Sequence, residues 1–242
     1  MGAATESPPR LSAEGLRQSY GAVRALDNVS FIVPQGSVLG VIGPNGAGKS
    51  TALACLAGLA EPQAGRIRLD GRECRAIARR AATFFLPDGI TPWEDQRAGW
   101  VLDFARDAYG APQDWRGALA EALSIDALVR QRVGDLSKGQ RKRVLLAMAM
   151  LVPRSCTLID EPFEGLDPRQ ARAFTAVVRA AAAEGRTFVL SIHSAGDAMR
   201  TCDAHLLLHE GRVLAHGTLE VLQRTACVGA SAGLEEIFLA LT

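Results

Sequence analysis

Several features that mark secreted, membrane-spanning or nucleic-acid-coating proteins are scarce in this chain. Its five cysteines, Cys55, Cys74, Cys156, Cys202 and Cys227, are scattered with no close pair. That argues against a disulfide frame or a zinc site and fits reduced thiols in the cytosol. Long apolar runs are missing as well. The longest, Val144 to Val152, falls far short of the roughly 20 residues needed to span a bilayer. Residues 1–10 are small, polar and proline-bearing, so a disordered leader is expected there, not a secretory signal with an apolar centre. Charge of one sign is not in excess either. The formal net charge is +1 and no Lys/Arg block stands out. Neither a broad nucleic-acid footprint nor a membrane-binding tail is expected. Aromatic residues make up only 5% of the chain, yet seven of them lie between Phe84 and Trp115, including all three tryptophans.

Glycine is plentiful, and its placement is informative. Gly43-Pro44-Asn45-Gly46-Ala47-Gly48-Lys49-Ser50-Thr51 fits the phosphate-binding loop pattern. The glycines let the backbone curl so that several N–H groups converge on one anion. Lys49 adds positive charge near the β- and γ-phosphates, and the Ser50 hydroxyl can hold Mg²⁺. The flanks agree. Val38 to Ile42 is a short apolar run suited to a strand, and Ser50 to Ala57 suits a helix. A helix N-terminus beyond the loop points its positive partial charge at the phosphates.

From Leu11 to about Ile42, short β-type runs alternate with turns such as Pro34-Gln35-Gly36, which points to antiparallel strands. A strand at Arg66–Leu69 follows the loop helix. Residues 88 to about 152 read as a mostly helical subdomain. Thr157–Ile159 and Thr187–Ile192 read as buried strands on either side of a helix that begins at Asp167-Pro168. His205–Leu208 and Arg212–Leu214 flank Glu210-Gly211 as a hairpin, and residues 218–242 form a helical tail. Strands alternating with helices predict an α/β fold with a mostly parallel sheet. One domain over 11–242 is expected, with an N-terminal antiparallel β subdomain and the helical subdomain inserted.

Two further segments carry chemistry. In Leu136-Ser137-Lys138-Gly139-Gln140, Ser137 is a good N-cap for a helix over 141–152. The segment reads either as an ordinary capped helix or as a second anion site made from unsatisfied N–H groups. Leu158-Ile159-Asp160-Glu161 is an apolar run ending in two carboxylates. At the C-terminal end of a sheet strand, Asp160 can reach Mg²⁺ and Glu161 can orient a water for attack on a γ-phosphate. His193 follows the next strand, at the same rim.

Together these residues resemble the nucleotide-binding subunits of ABC transporters, over about residues 11 to 217. Gly43–Thr51 is similar to the family's phosphate loop, Leu136–Gln140 to its signature sequence, and Asp160 and Glu161 to its magnesium aspartate and catalytic glutamate. Gly165-Leu166-Asp167 resembles the D-loop, and His193 the switch histidine. Tyr20 resembles the aromatic that stacks on adenine. The resemblance implies a P-loop NTPase core that binds ATP and Mg²⁺. It implies a head-to-tail dimer in which Ser137, Gly139 and Gln140 of one subunit, with Asp167 nearby, complete the loop of another. It also implies an integral membrane permease as partner and a cytoplasmic, peripheral place at the inner face of the membrane.

Two positions depart from the family pattern. Lys138 stands where glycine is usual. Asp88 stands where the family has a glutamine that contacts Mg²⁺ and links the site to the membrane subunit; one methylene shorter and charged, it is expected to keep a weakened place in the magnesium shell. Trp93, beside Pro92 in an expected loop, is the best candidate for the permease interface. The tail from Gly233 to Thr242 resembles that of drug- and polysaccharide-exporter ATPases, which tilts the reading toward export. A soluble ABC ATPase of DNA repair or translation, and a non-hydrolysing regulatory binder, are the alternatives. The absence of a second cassette weighs against the first, and Glu161 against the second.

Overall fold

The computed structural model describes residues 8–91, 93–111 and 117–242. Its strands form two sheets. The smaller is antiparallel and contains β1 (Leu11–Tyr20), β2 (Val23–Val33), β4 (Ala64–Leu69) and β5 (Arg72–Glu73), in the order β2-β1-β4-β5. The larger runs β10-β9-β3-β8-β7-β6, from β3 (Val38–Ile42), β6 (Thr83–Leu86), β7 (Cys156–Ile159), β8 (Thr187–Ile192), β9 (Ala204–His209) and β10 (Arg212–Gly217). Its pairings are parallel apart from the β9–β10 hairpin.

The expectation of antiparallel strands through Ile42 holds for β1 and β2 but not for β3. All five β3 residues are buried, so the strand has two apolar faces and belongs inside a covered sheet. Successive side chains of a strand point to opposite faces, and here they serve two cores. Leu39, Val41, Leu158, Val189 and Leu206 pack with the small sheet and with helix α1 (Lys49–Leu56). Val38, Ile42, Ile159, Phe188 and Leu190 pack on the other side, with helices α5 (Lys138–Leu151) and α6 (Pro168–Ala183) contributing Leu145, Leu146 and Phe174.

The chain after β6 is mostly helical, as expected for residues 88 to about 152. This stretch contains α3 (Ala98–Tyr109), α4 (Ala118–Ala122) and α5. Helix α5 is fixed at both ends. Ser137 and Gln140 form a capping box, with Gln140 N–H donating to Ser137 Oγ at 3.2 Å and Ser137 N–H to Gln140 Oε1 at 2.9 Å. Arg186 caps the other end by donating to the carbonyls of Ala149 and Met150 at 2.5 and 2.6 Å. Helix α2 (Ala76–Ala82) precedes β6, α7 (Ala195–Thr201) follows β8, and α8 (Leu219–Thr225) and α9 (Leu234–Leu241) form the tail. β1 begins at Leu11, and the Arg10 guanidinium donates to Asp70 at 2.7 Å, so the chain is anchored one residue before the strand. Residues 1–7 of the expected leader, and Pro92 and Trp115, lie outside the described residues.

Candidate active site at the strand ends

The loop after β3 opens into a cavity of about 740 Å³ at the C-terminal ends of β3, β7 and β8. Ligands of parallel α/β sheets settle at such ends. Gly48, at φ 103, is the N-cap of α1, and a Cβ there would meet the Ala25 carbonyl at 2.3 Å. Only glycine allows that close approach in a left-handed conformation. Asn45, Gly46, Gly48, Ser50 and Thr51 line the cavity with Lys49, so the free N–H groups at the start of α1 border it.

Lys49 is buried, and its ammonium is already occupied. Nζ donates to the carbonyls of Gly43 at 2.8 Å and Pro44 at 3.2 Å. It lies 3.4 Å from His193 Nδ1 and 3.9 Å from Glu161 Oε1. Burial pulls its pKa below the ordinary lysine value, an effect that Glu161 and Asp160 oppose.

Lys49 also sets the state of His193. An ammonium facing Nδ1 makes that nitrogen an acceptor, so the proton sits on Nε2, which donates to Glu161 Oε1 at 2.7 Å. Burial, with the Lys49 charge added, holds the His193 pKa below its usual value. The His193–Glu161 contact is therefore a hydrogen bond from a neutral ring, not an ion pair. Burial drives Glu161 up to about 7; Lys49 draws it down, while Asp160 adds to the rise. A carboxylate with a pKa near neutral that lines the cavity is suited to accept a proton from water.

The two carboxylates share an anchor. Ser191 Oγ donates to Asp160 Oδ1 and accepts from the Glu161 N–H at 2.9 Å. Glu161 adopts φ 50, a left-handed conformation uncommon outside glycine. Ser191 thus holds the left-handed backbone that carries the second carboxylate. The sequence reading passed over this residue. Its signal is a single hydroxyl near the end of the otherwise apolar Phe188–Ile192 run.

A family model described as ABC transporter matches residues 26–164, more than half of the chain. The chain belongs to the ABC transporter family. It is similar to the ABC-type transporter ATP-binding protein EcsA of Bacillus subtilis (strain 168), at 31% identity over 96% of each chain. It is also similar to the Nod factor export ATP-binding protein I of Paraburkholderia xenovorans (strain LB400), 34% identical over 86% of this chain and 70% of that one. The cobalt import ATP-binding protein CbiO of Rhodobacter capsulatus is likewise 34% identical, over 93% of this chain and 85% of that one. A solved structure of an ATP-binding subunit of an ABC transporter superposes with a TM-score of 0.87, at 31% identity, covering 96% of this chain and 98% of that one. The protein is thus an ABC transporter ATPase subunit, of a class that works with membrane permease components. Among its described residues, no helix is long and apolar enough to cross a membrane.

In this ABC ATPase, the fold brings Lys49, Ser50, Thr51, Asp160, Glu161, His193 and Asp88 to one cavity. It leaves Ser137, Gly139, Gln140 and Asp167 outside that cavity. Ser137 is exposed at the start of α5, and Asp167 caps α6 by accepting from the Gln170 N–H at 2.8 Å. A Cβ on Gly139 would lie 2.5 Å from the Gly165 carbonyl, so the turns at Ser137–Gly139 and Gly165–Asp167 meet backbone to backbone. Tyr20, 53% exposed at the end of β1, is not among the lining residues, whereas Val23 and Ala25 just beyond it are. Asp88 lines the cavity with its Oδ1 accepting from Lys142 Nζ at 2.9 Å.

Proposed function

We propose that two copies of this ATPase close head to tail over two ATP molecules and drive an integral membrane permease, in the direction of export, from the inner face of the membrane. The observation that carries the reading is the separation within one chain. The Lys49 cavity has a loop, a carboxylate and a histidine, while the turn at Ser137 and Gly139 stands outside it, with Ser137 exposed and Gly139 half-buried. A second copy can bring its own exposed turn to the open cavity, and the converse contact then follows in a two-fold dimer. Tyr20, exposed beside Val23, is free to lie against an adenine.

The donor set fits Mg²⁺. The Ser50 hydroxyl and the Asp160 carboxylate border the same cavity. Mg²⁺ at phosphate sites takes one or two protein oxygens together with phosphates and waters. When bound, the ion would neutralise charge on the phosphate oxygens. The chain's own residues do the rest. Lys49 holds the phosphates, Glu161 accepts a proton from the attacking water, and His193 keeps Glu161 oriented through Nε2–H. Loss of the γ-phosphate removes a bridge between the two copies, so hydrolysis opens what binding closed.

The permease face is proposed at Trp93, Trp100 and Phe104. These rings are 49%, 44% and 44% exposed and pack on one another with centroids 5.1–5.6 Å apart. Aromatic groups of this kind dominate binding energy at interfaces. Export is supported by the similarity of the tail to exporter ATPases and by the relative named for Nod factor export. The equally similar relative named for cobalt import makes direction a matter for transport assays in inside-out vesicles. The dimer is tested by complementation. Lys49→Ala and Ser137→Ala variants, each inactive alone, should regain ATPase activity when mixed, because the mixed dimer contains one intact composite site. Absence of recovery in a verified mixed dimer overturns the head-to-tail arrangement.

A further inference from the structure

Helix α5 carries two lysines, Lys138 and Lys142, four residues apart and therefore on one face. Both reach carboxylates that border the Lys49 cavity. Lys138 Nζ lies 2.5 Å from Glu164 Oε1, and Lys142 Nζ 2.9 Å from Asp88 Oδ1. The pairs differ in surroundings. The Lys138 side chain is 72% exposed, and an ion pair so well hydrated contributes little. The Lys142 side chain is only 9% exposed, and its ammonium otherwise sits 3.5 Å from the Asp160 carbonyl. A lysine so buried requires a counter-charge. The dependence also runs the other way. Asp88 places a negative charge on the wall of the cavity proposed to hold the phosphates, where without Lys142 it would repel the ligand.

We propose that Lys142 is the counter-ion that lets an aspartate stand at position 88, and that this pair ties nucleotide occupancy of the cavity to the placement of the chain's own signature helix. This rests on the nucleotide-binding reading of the cavity. Incoming phosphates push the Asp88 carboxylate toward Lys142, and Lys142 lies one turn into the helix that begins with Ser137 and Gly139. Lys142 and Asp88 are therefore positioning residues, and the two departures from the family pattern, at 88 and 138, sit on one line of charge.

The test uses the full chain in EDTA with a fluorescent ATP analogue, so that neither metal nor turnover contributes. Lys142→Met should weaken binding roughly fivefold, the effect of one unpaired carboxylate near the phosphates at intermediate dielectric. Asp88→Asn/Lys142→Met, in which both charges are gone, should bind within about twofold of wild type, and Lys142→Arg should resemble wild type. Hydrogen exchange supplies a second readout. At a protein concentration where the ATP-bound chain is verified to stay monomeric, ATP should slow exchange across residues 137–145 in the wild type and not in the double variant. Unchanged affinity in Lys142→Met, equal weakening in the double variant, or equal protection in wild type and double variant would each overturn the proposal. A wild-type protein that binds no ATP analogue, with or without Mg²⁺, would instead overturn the nucleotide reading on which it rests.

Discussion

Glu161 makes the apo protein less stable as pH rises, and Glu161→Gln should remove that dependence. Burial raises the carboxyl from 4.5 to about 7 in the folded chain. Its protonated form is favoured by folding. The associated stability is fully present below about pH 4.5 and is lost as pH climbs toward 7. At about 1.4 kcal/mol per pH unit, the whole effect is about 3 kcal/mol, and about 2–3 kcal/mol of it falls between pH 5 and pH 8, since part of the unfolded-state titration lies below pH 5. The Glu161 side chain is 14% exposed, so solvent screening takes little of this away. Glutamine has the same shape and does not titrate. The assay is urea denaturation of wild type and Glu161→Gln at pH 5 and pH 8, in EDTA and without nucleotide. The variant should gain about 2–3 kcal/mol on the wild type between the two pH values, or roughly 5–10 °C in melting temperature for a chain of this size. A gain below about 0.5 kcal/mol would refute the idea that burial controls this carboxyl.

Other outcomes follow from the same geometry. Ser137→Ala removes the capping box of α5 and should cost about 1 kcal/mol in denaturation, while ATP binding to the isolated chain stays intact. Gly139→Ala forces a methyl against the Gly165 carbonyl; it should destabilise the chain by about 1–3 kcal/mol and abolish ATPase activity, again with ATP binding retained. Trp93→Ala should reduce co-purification with a permease expressed alongside it, leaving the basal ATPase rate of the isolated subunit unchanged; undiminished co-purification would move the interface elsewhere.

Most of the candidate site is legible in the sequence, because its residues are tied to local backbone form. The phosphate loop needs its glycines in sequence, and Ser137 and Gln140 announce a helix start by their spacing. Asp160, Glu161 and His193 each follow an apolar strand run, so a parallel sheet delivers all three to one rim. Residues that act across the fold left no such mark. Lys142 reads as one more cation on a helix, and Asp88 as a shortened glutamine, until β6 and α5 pack side by side and place them 2.9 Å apart. Ser191 needs β7 beside β8 before its hydroxyl has two carboxylate-bearing neighbours to join. The separation of β3 from the first antiparallel strands was likewise hidden. Adjacency in sequence suggested one sheet, and only burial on both faces distinguishes it.

The parked ammonium of Lys49 changes what its proposed hold on ATP would contribute to affinity. With Gly43 and Pro44 carbonyls and the His193 ring already accepting from it, the lysine does not meet the nucleotide as a bare charge. In the proposed complex, binding is an exchange of partners, in which phosphate oxygens replace peptide carbonyls. The enthalpy credited to the lysine in calorimetry is then a difference between two well-made sets of bonds. The advantage of the arrangement is geometric instead. The ammonium is held in place before the ligand arrives, so little conformational freedom is lost when it does.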